Sequence, residues 1–326
     1  MSRCTPAPDA WHYIWKGTVI SMKYAWLVVN AFLQSGKFHA HYTWLQKAAN
    51  ERGIVLECIS NAELAAGMVD GSLVSLSEKE DARQMQKKPD FVIFWDKDTS
   101  LAEAMEDGGY RLFNRAHAIA LCDNKYETLR ALAKAGAYRI PKSVLAPMTF
   151  SGVGYTDTGF LDGVEKIFGY PMVVKECYGS FGMQVFLAKT REELVGLTKD
   201  RGAVPFLYQE FIASSAGRDV RLQVVGERVV AAMERRSETD FRANITAGGK
   251  MEAFDPEPSW ESLAVDVCRE LGLDFGGVDI LFGQDGEPVI CEVNSNAHFQ
   301  NIYTCTKVNV AEEILDYICR EIYGES

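Results

Sequence analysis

Two rhythms of apolar residues run along the chain. Residues 24–30 form a short apolar run ending in a polar residue, and residues 54–59 and 91–95 repeat it, as buried parallel strands do. Between the first two, Tyr42, Leu45 and Ala49 recur at helical spacing over residues 39–52, stopping at Gly53. Strands alternating with helices predict an open α/β layer with parallel strands over residues 22–113. Beyond it, Asp123 is placed to cap a helix over residues 124–135 that Gly136 closes, and a strand begins near Lys142. Residues 149–163, rich in glycine, serine and threonine, read as a surface loop. After Pro171 the pattern shortens. Residues 172–175, 184–188, 206–209, 220–225 and 228–233 predict successive strands joined by tight turns, with Gly226 and Glu227 turning a hairpin. A helix over 260–271, a hairpin of 278–282 with 288–293, and a helix over 310–322 complete the series.

Composition narrows the class. The 326 residues suffice for two or three units with real cores, and a 47% hydrophobic, 24% charged make-up is that of a soluble globular protein. A net charge of −11 argues against a nucleic-acid partner, whose phosphates need a basic surface. The eight cysteines include no C-x-x-C pair, so reduced thiols in a cytoplasmic protein are expected. No apolar run approaches the roughly 20 residues that span a bilayer. Residues 1–21 lack the parts of a signal peptide and are expected to be a disordered extension, with Met22 the more natural start.

Four clusters carry candidate chemistry. Lys175 ends an apolar strand, and Gly179, Ser180 and Gly182 follow before another strand leaves. Small residues let backbone N–H groups approach phosphates, and a lysine adds fixed positive charge. The plain alternative is a hairpin with a surface lysine. Asp279, Glu292 and Asn294 alternate with apolar neighbours, which places them on one face of an antiparallel pair. Two carboxylates and an amide oxygen suit magnesium shared with phosphates, although acids on a wet hairpin face are common. Glu210, Phe211 and Ile212, where a strand ends, form a segment able to read a base edge, and the next loop returns Asp219. Arg235, Arg236 and Arg242 lie close enough in sequence to hold anionic oxygens together, or to form a solvated basic loop.

In this order and spacing the clusters resemble the ATP-grasp superfamily, in particular the RimK-type carboxylate–amine ligases. The carriers are Cys122 to Lys125, Val173 to Lys175, Gly179 to Gly182, Gln209 to Ile212, Gly217 to Arg221, Glu234 to Arg236, Asp240 to Asn244, Gly277 to Asp279 and Glu292 to Asn296. The likeness implies a Rossmann-like pre-ATP-grasp unit at residues 22–113. A two-lobed ATP-grasp domain would follow at residues 114–326, with lobes of about 114–208 and 209–326, giving α/β and α+β parts. It implies Lys125 and Lys175 on ATP phosphates, Glu210, Phe211 and Ile212 as the adenine hinge, and Asp219 on the ribose. Arg242 and Asn244 would reach the phosphates and reacting centre, Lys175 and Arg242 acting catalytically. Asp279, Glu292 and Asn294 would bind magnesium or manganese, two ions in all, and the loop from Gly179 through Ser180 to Gly182 would close over the phosphates. The implied reaction passes through an acylphosphate that an amine attacks, with L-glutamate or a peptide or protein tail among the expected substrates. A ligase of a cofactor or carrier-bound amino acid, and a non-catalytic ATP-binding module, are the alternatives. The chain departs from the family where Ala297, His298 and Phe299 replace a frequent Pro-Gly pair. His298 is read either as an acceptor contact or as an ordinary loop histidine, and His39 and His41 as structural or substrate-side.

Overall fold

The computed structural model describes residues 14–15, 18–19, 23–33, 35–69, 72–76, 88–179, 182–243 and 249–324. Strands β1 (Ile14–Trp15) and β2 (Thr18–Val19) pair as a short hairpin within the expected extension, the rest of which lies outside the described residues. The first layer contains β3 (Lys23–Val29), α1 (Gly36–Glu51), β4 (Ile54–Ser60), the hairpin β5 (Leu64–Val69) and β6 (Ser72–Ser75), β7 (Phe91–Phe94), α2 (Thr99–Asp107) and β8 (Leu112–Phe113). Its sheet has the order β4-β3-β7-β8 with all pairs parallel. Ala25, Trp26, Leu27, Phe91, Val92 and Ile93 are fully buried, as a parallel sheet covered on both faces demands.

Helices α3 (Ala116–Asp123) and α4 (Lys125–Ala135) follow. The cap of α4 is Asn124, whose side chain accepts from the Tyr126 and Glu127 N–H groups. Asp123, the expected cap, instead closes α3. A second sheet combines β9 (Ser143–Leu145), β10 (Met172–Glu176), β11 (Val185–Ala188) and β12 (Phe206–Glu210), ordered β11-β10-β12-β9. Two helices cover it, α5 (Leu161–Phe168) and α6 (Arg191–Arg201). Both correct the sequence reading: α5 begins inside the expected loop of residues 149–163, and α6 stands between strands expected to join by a tight turn.

The third sheet, β15-β14-β13-β16-β17, holds β13 (Arg218–Val225), β14 (Arg228–Arg236), β15 (Lys250–Ala253), β16 (Phe275–Phe282) and β17 (Pro288–Asn294). Helices α7 (Pro258–Glu270), α8 (Gln300–Thr306) and α9 (Val310–Tyr323) pack around it. Two cores bind the layers together. Leu27, Leu45 and Ile93 share one core with Phe275, Ile314 and Ile318, so the first layer and the third are packed as one body. Cys122 and Leu132, from α3 and α4, share another with Leu222, Val267 and Ile280. Residues 116–135 therefore pack on the third sheet, although chain order groups them with the second. Asn114 pins the same junction, donating to the Phe275 and Ser295 carbonyls at 2.8 and 3.0 Å and accepting from the Asp274 and Phe275 N–H groups at 2.7 and 3.1 Å. Among the described residues, no helix is long and apolar enough to cross a membrane.

Candidate active site

The third sheet has one apolar and one charged face because side chains alternate along each strand. Val220, Leu222, Val278 and Ile280 fill the core, which turns Asp219, Arg221 and Asp279 the other way. The register sets Asp219 opposite Arg235, Arg221 opposite Asp279, Asp279 opposite Glu292, and Gly277 opposite Asn294. Arg235 donates to both oxygens of Asp219 at 2.6 and 2.9 Å. Arg221 donates to both oxygens of Asp279 at 2.7 Å, and Arg235 also reaches Asp279 at 3.0 Å. Two carboxylates and two guanidiniums thus form a buried, charge-balanced cluster. Burial alone would lift the Asp279 carboxyl, but Arg221 and Arg235 outweigh it and hold it below the ordinary range. Asp219 goes the other way. Burial pushes it up to about 6 against the pull of Arg235, and the neighbouring Asp279 charge adds to the rise.

The opposing wall is cationic. Lys175 on β10 is only 3% exposed, and no carboxylate among the described residues lies within ion-pair distance of it. Burying an ammonium without a countercharge is costly, so this position implies an anion that completes it. Lys125, at the first turn of α4, donates to the Gly179 carbonyl at 2.7 Å and stands 3.7 Å from Glu292, linking the glycine-rich loop to β17. Gly179 and Gly182 have φ of +119° and +68°, and a Cβ at Gly179 would lie 2.5 Å from the Gln184 amide oxygen. Both features need glycine. Arg242 is held by Asp240 and reaches across to the Gly182 and Val185 carbonyls at 2.6 and 3.2 Å. Ser180 and Asn244, both expected site residues, lie outside the described residues.

Between the walls is a cavity of about 630 Å³. Lys125, Lys175, Gly182, Glu210, Phe211, Ile212, Asp219, Arg242, Asp279, Glu292 and Asn294 all line it, whereas Gly179 does not and meets the site through its carbonyl bond to Lys125. Glu210 to Ile212 cross from β12 toward β13, and Val173, Met233 and Leu281 make the neighbouring wall apolar. Arg236 points away from the cavity and pairs with Glu234 at 2.9 Å, so it does not join Arg235 and Arg242. His39 is exposed. His41 is buried, its Nε2 accepting the Phe299 N–H at 3.1 Å, and its ring lies 4.4 Å from that of His298 at the cavity edge. Sequence reading gave no role to Asn30, Asp96, Arg221 or Asn296, all of which line the cavity.

The donors fit a magnesium ion shared with a phosphate. Among the described residues no three His, Cys, Asp or Glu side chains gather as a self-sufficient metal site. Asp279 and Glu292 offer hard oxygens on facing strands, and the amide nitrogen of Asn294 is buried with no hydrogen-bond partner. Turning that amide over would put an oxygen donor in its place, and a partly protein-made oxygen shell is what magnesium accepts.

The RimK-like ATP-grasp domain family matches residues 122–318, more than half of the chain. The chain belongs to the RimK-like ATP-grasp family. As a RimK-like protein it is an ATP-dependent carbon–nitrogen ligase that joins a carboxylate to an amine. It is 32% identical to human N-acetylaspartylglutamate synthase A over 84% of this chain and 70% of that one. It is 37% identical to zebrafish (Danio rerio) beta-citrylglutamate synthase B over 68% of this chain, and spans about half, 54%, of that protein. Among solved structures, the ATP-grasp ligase PsnB complexed with a phosphomimetic minimal precursor, Mg and ADP superposes with a TM-score of 0.64 at 16% identity, covering 93% of this chain and 99% of that chain. That likeness shows a shared fold.

Proposed function

We propose that this cavity takes ATP with magnesium and condenses a carboxylic acid with an amino acid, L-glutamate being the first candidate. One observation carries the reading: the buried Lys175, which no carboxylate among the described residues offsets, shares a single cavity with the Asp279, Glu292 and Asn294 donor set. A triphosphate with a bound cation satisfies both walls at once. The names of the relatives support glutamate as the amine, and the magnesium and ADP of the PsnB complex support the ligand pair.

In this reading the backbone of Glu210, Phe211 and Ile212 reads the adenine edge, and the apolar wall of Val173, Met233 and Leu281 covers its faces. Asp219 turns its remaining lone pairs to the ribose. Lys125, Lys175 and Arg242 neutralise the phosphate oxygens, with Gly182 of the glycine-rich loop beside them. Asp279, Glu292 and Asn294 would hold two ions of magnesium or manganese, which supply charge neutralisation at the transferring phosphoryl group. The acid's oxygen takes the γ-phosphoryl group to give an acylphosphate, and the amine displaces phosphate. No protein nucleophile is required. The residues position the reactants, hold fixed positive charge where negative charge moves, and keep water from the acylphosphate.

The test incubates purified protein with ATP, magnesium and a pool of amino acids, N-acetyl-L-aspartate and citrate, and reads nucleotide products and masses. We expect a product equal to acid plus amine less water, with matching ADP and phosphate. Release of AMP, or of ADP indifferent to the pool, would overturn the reading.

A further inference from the structure

The cavity extends past the nucleotide wall to the first layer, where its chemistry reverses sign. The sheet order β4-β3-β7-β8 changes direction between β3 and β7. In open α/β sheets the crevice outside the carboxyl ends of such a strand pair is where ligands bind. Asn30 stands at the end of β3 and Asp96 just beyond β7, and both line the cavity. The Asn30 amide bridges the crevice, its Nδ2 lying 3.2 Å from each oxygen of Asp96.

Asp96 is 6% exposed, and no cation among the described residues pairs with it. Among the described residues its oxygens accept only from the Asn30 amide and, at 2.7 Å, from the Lys97 N–H, while the Lys97 ammonium goes to Asp123. Burial lifts its carboxyl above the ordinary range, the two hydrogen bonds oppose the rise, and the Asp98 and Asp123 charges add to it. Beside it, Asn296 donates to the Asp96 carbonyl at 2.9 Å, and this leaves the Asn296 Oδ1 buried with no partner. A buried anion without a countercharge and a buried acceptor without a donor thus meet in one corner. Neither suits the substrate acid, which Asp96 repels. An ammonium group satisfies both.

We infer that Asp96 and the Oδ1 of Asn296, braced by Asn30, form the subsite for the primary ammonium of the amine substrate. The inference rests on the ligase reading above. Asp96 binds the R–NH₃⁺ group and takes one proton from it, leaving a neutral amine. The nitrogen lone pair then forms the C–N bond to the acylphosphate carbonyl. The C–O bond to phosphorus's bridging oxygen breaks with its electron pair, and the second proton lost from nitrogen leaves with the phosphate. Asp96 returns its proton to water. Acid activation needs none of this.

The experiment compares L-glutamate with hydroxylamine, a neutral nucleophile that needs neither an ammonium site nor a base, in full-length wild type, Asp96→Asn and Asn296→Ala, with ATP, magnesium and the same acid pool. We expect Asp96→Asn to hold most of its hydroxamate formation while its KM for L-glutamate rises roughly 10- to 100-fold, the effect of losing a hydrogen bond to a charged group, and its kcat with L-glutamate falls because the proton acceptor is gone. Asn296→Ala is expected to shift KM in the same direction by less, again sparing hydroxamate. Equal loss with both nucleophiles in Asp96→Asn, or an unchanged KM for L-glutamate, would overturn the subsite. A wild type that forms no hydroxamate would instead overturn the ligase reading itself.

Discussion

Replacing Asp279 with Asn tests the buried ion cluster and the proposed metal site together. Asp279 accepts two hydrogen bonds from Arg221 at 2.7 Å and one contact from Arg235 at 3.0 Å, and it is 5% exposed. The cluster's two acids and two guanidiniums balance, so Asp279→Asn leaves one positive charge buried and unpaired. Breaking a buried pair from one side costs about 3–5 kcal/mol, or a fall in Tm of about 10 °C for a unit this size. Arg221→Met in the same molecule restores balance, because Asp219 keeps both bonds from Arg235. The double variant is therefore expected to regain at least half of the lost stability, a coupling of about 1–3 kcal/mol. Urea unfolding of the four proteins, followed by tryptophan fluorescence, measures the cycle. On the proposed site, acid-dependent ADP release should be absent in both Asp279 variants, because the carboxylate proposed to hold the metal is replaced by a neutral amide whatever the stability. A stable Asp279→Asn, or a double variant no more stable than the single, would refute the charge-balance argument.

Three further outcomes follow from the same geometry. Lys175→Met removes an ammonium that no described carboxylate offsets, so stability should hold or rise by about 1 kcal/mol while ATP affinity, read by titration calorimetry, falls about 10- to 100-fold. A loss of stability instead would mean the lysine supports the fold. Asn114→Ala strips partners from buried backbone groups of Asp274, Phe275 and Ser295 and should cost about 3–5 kcal/mol in urea unfolding. Gly217→Ala sets a Cβ 2.5 Å from the Ser237 carbonyl at a φ of +69°, and Gly217 bonds to Phe241 beside Arg242. It should cost about 1–3 kcal/mol and lower turnover more than it raises the KM for ATP. Unchanged kinetics would detach that turn from Arg242.

Much of this was legible in the chain. Glu292 and Asn294 are spaced by two on a strand with apolar neighbours, and that period alone fixes a common face; Asp219, expected on a loop, instead belongs to β13 two residues before Arg221. The α6 segment was missed because only Leu194 and Thr198 of its eleven residues are buried, too thin a stripe to stand out from a polar turn. Arg221 went without a role because its partner Asp279 is 58 residues away and meets it only through the β13–β16 register. Asn30 and Asp96 lie 66 residues apart. What joins them is the order of strands in a sheet, which local pattern does not encode.

The most direct measurement follows an ¹⁸O label from the substrate carboxylate in a complete turnover with ATP, magnesium and the amine. If the acid is activated by the γ-phosphoryl group in the cavity between Lys175 and Asp279, one labelled oxygen appears in inorganic phosphate for each amide formed, alongside ADP. Inorganic phosphate free of label, or label carried into AMP, would contradict the account.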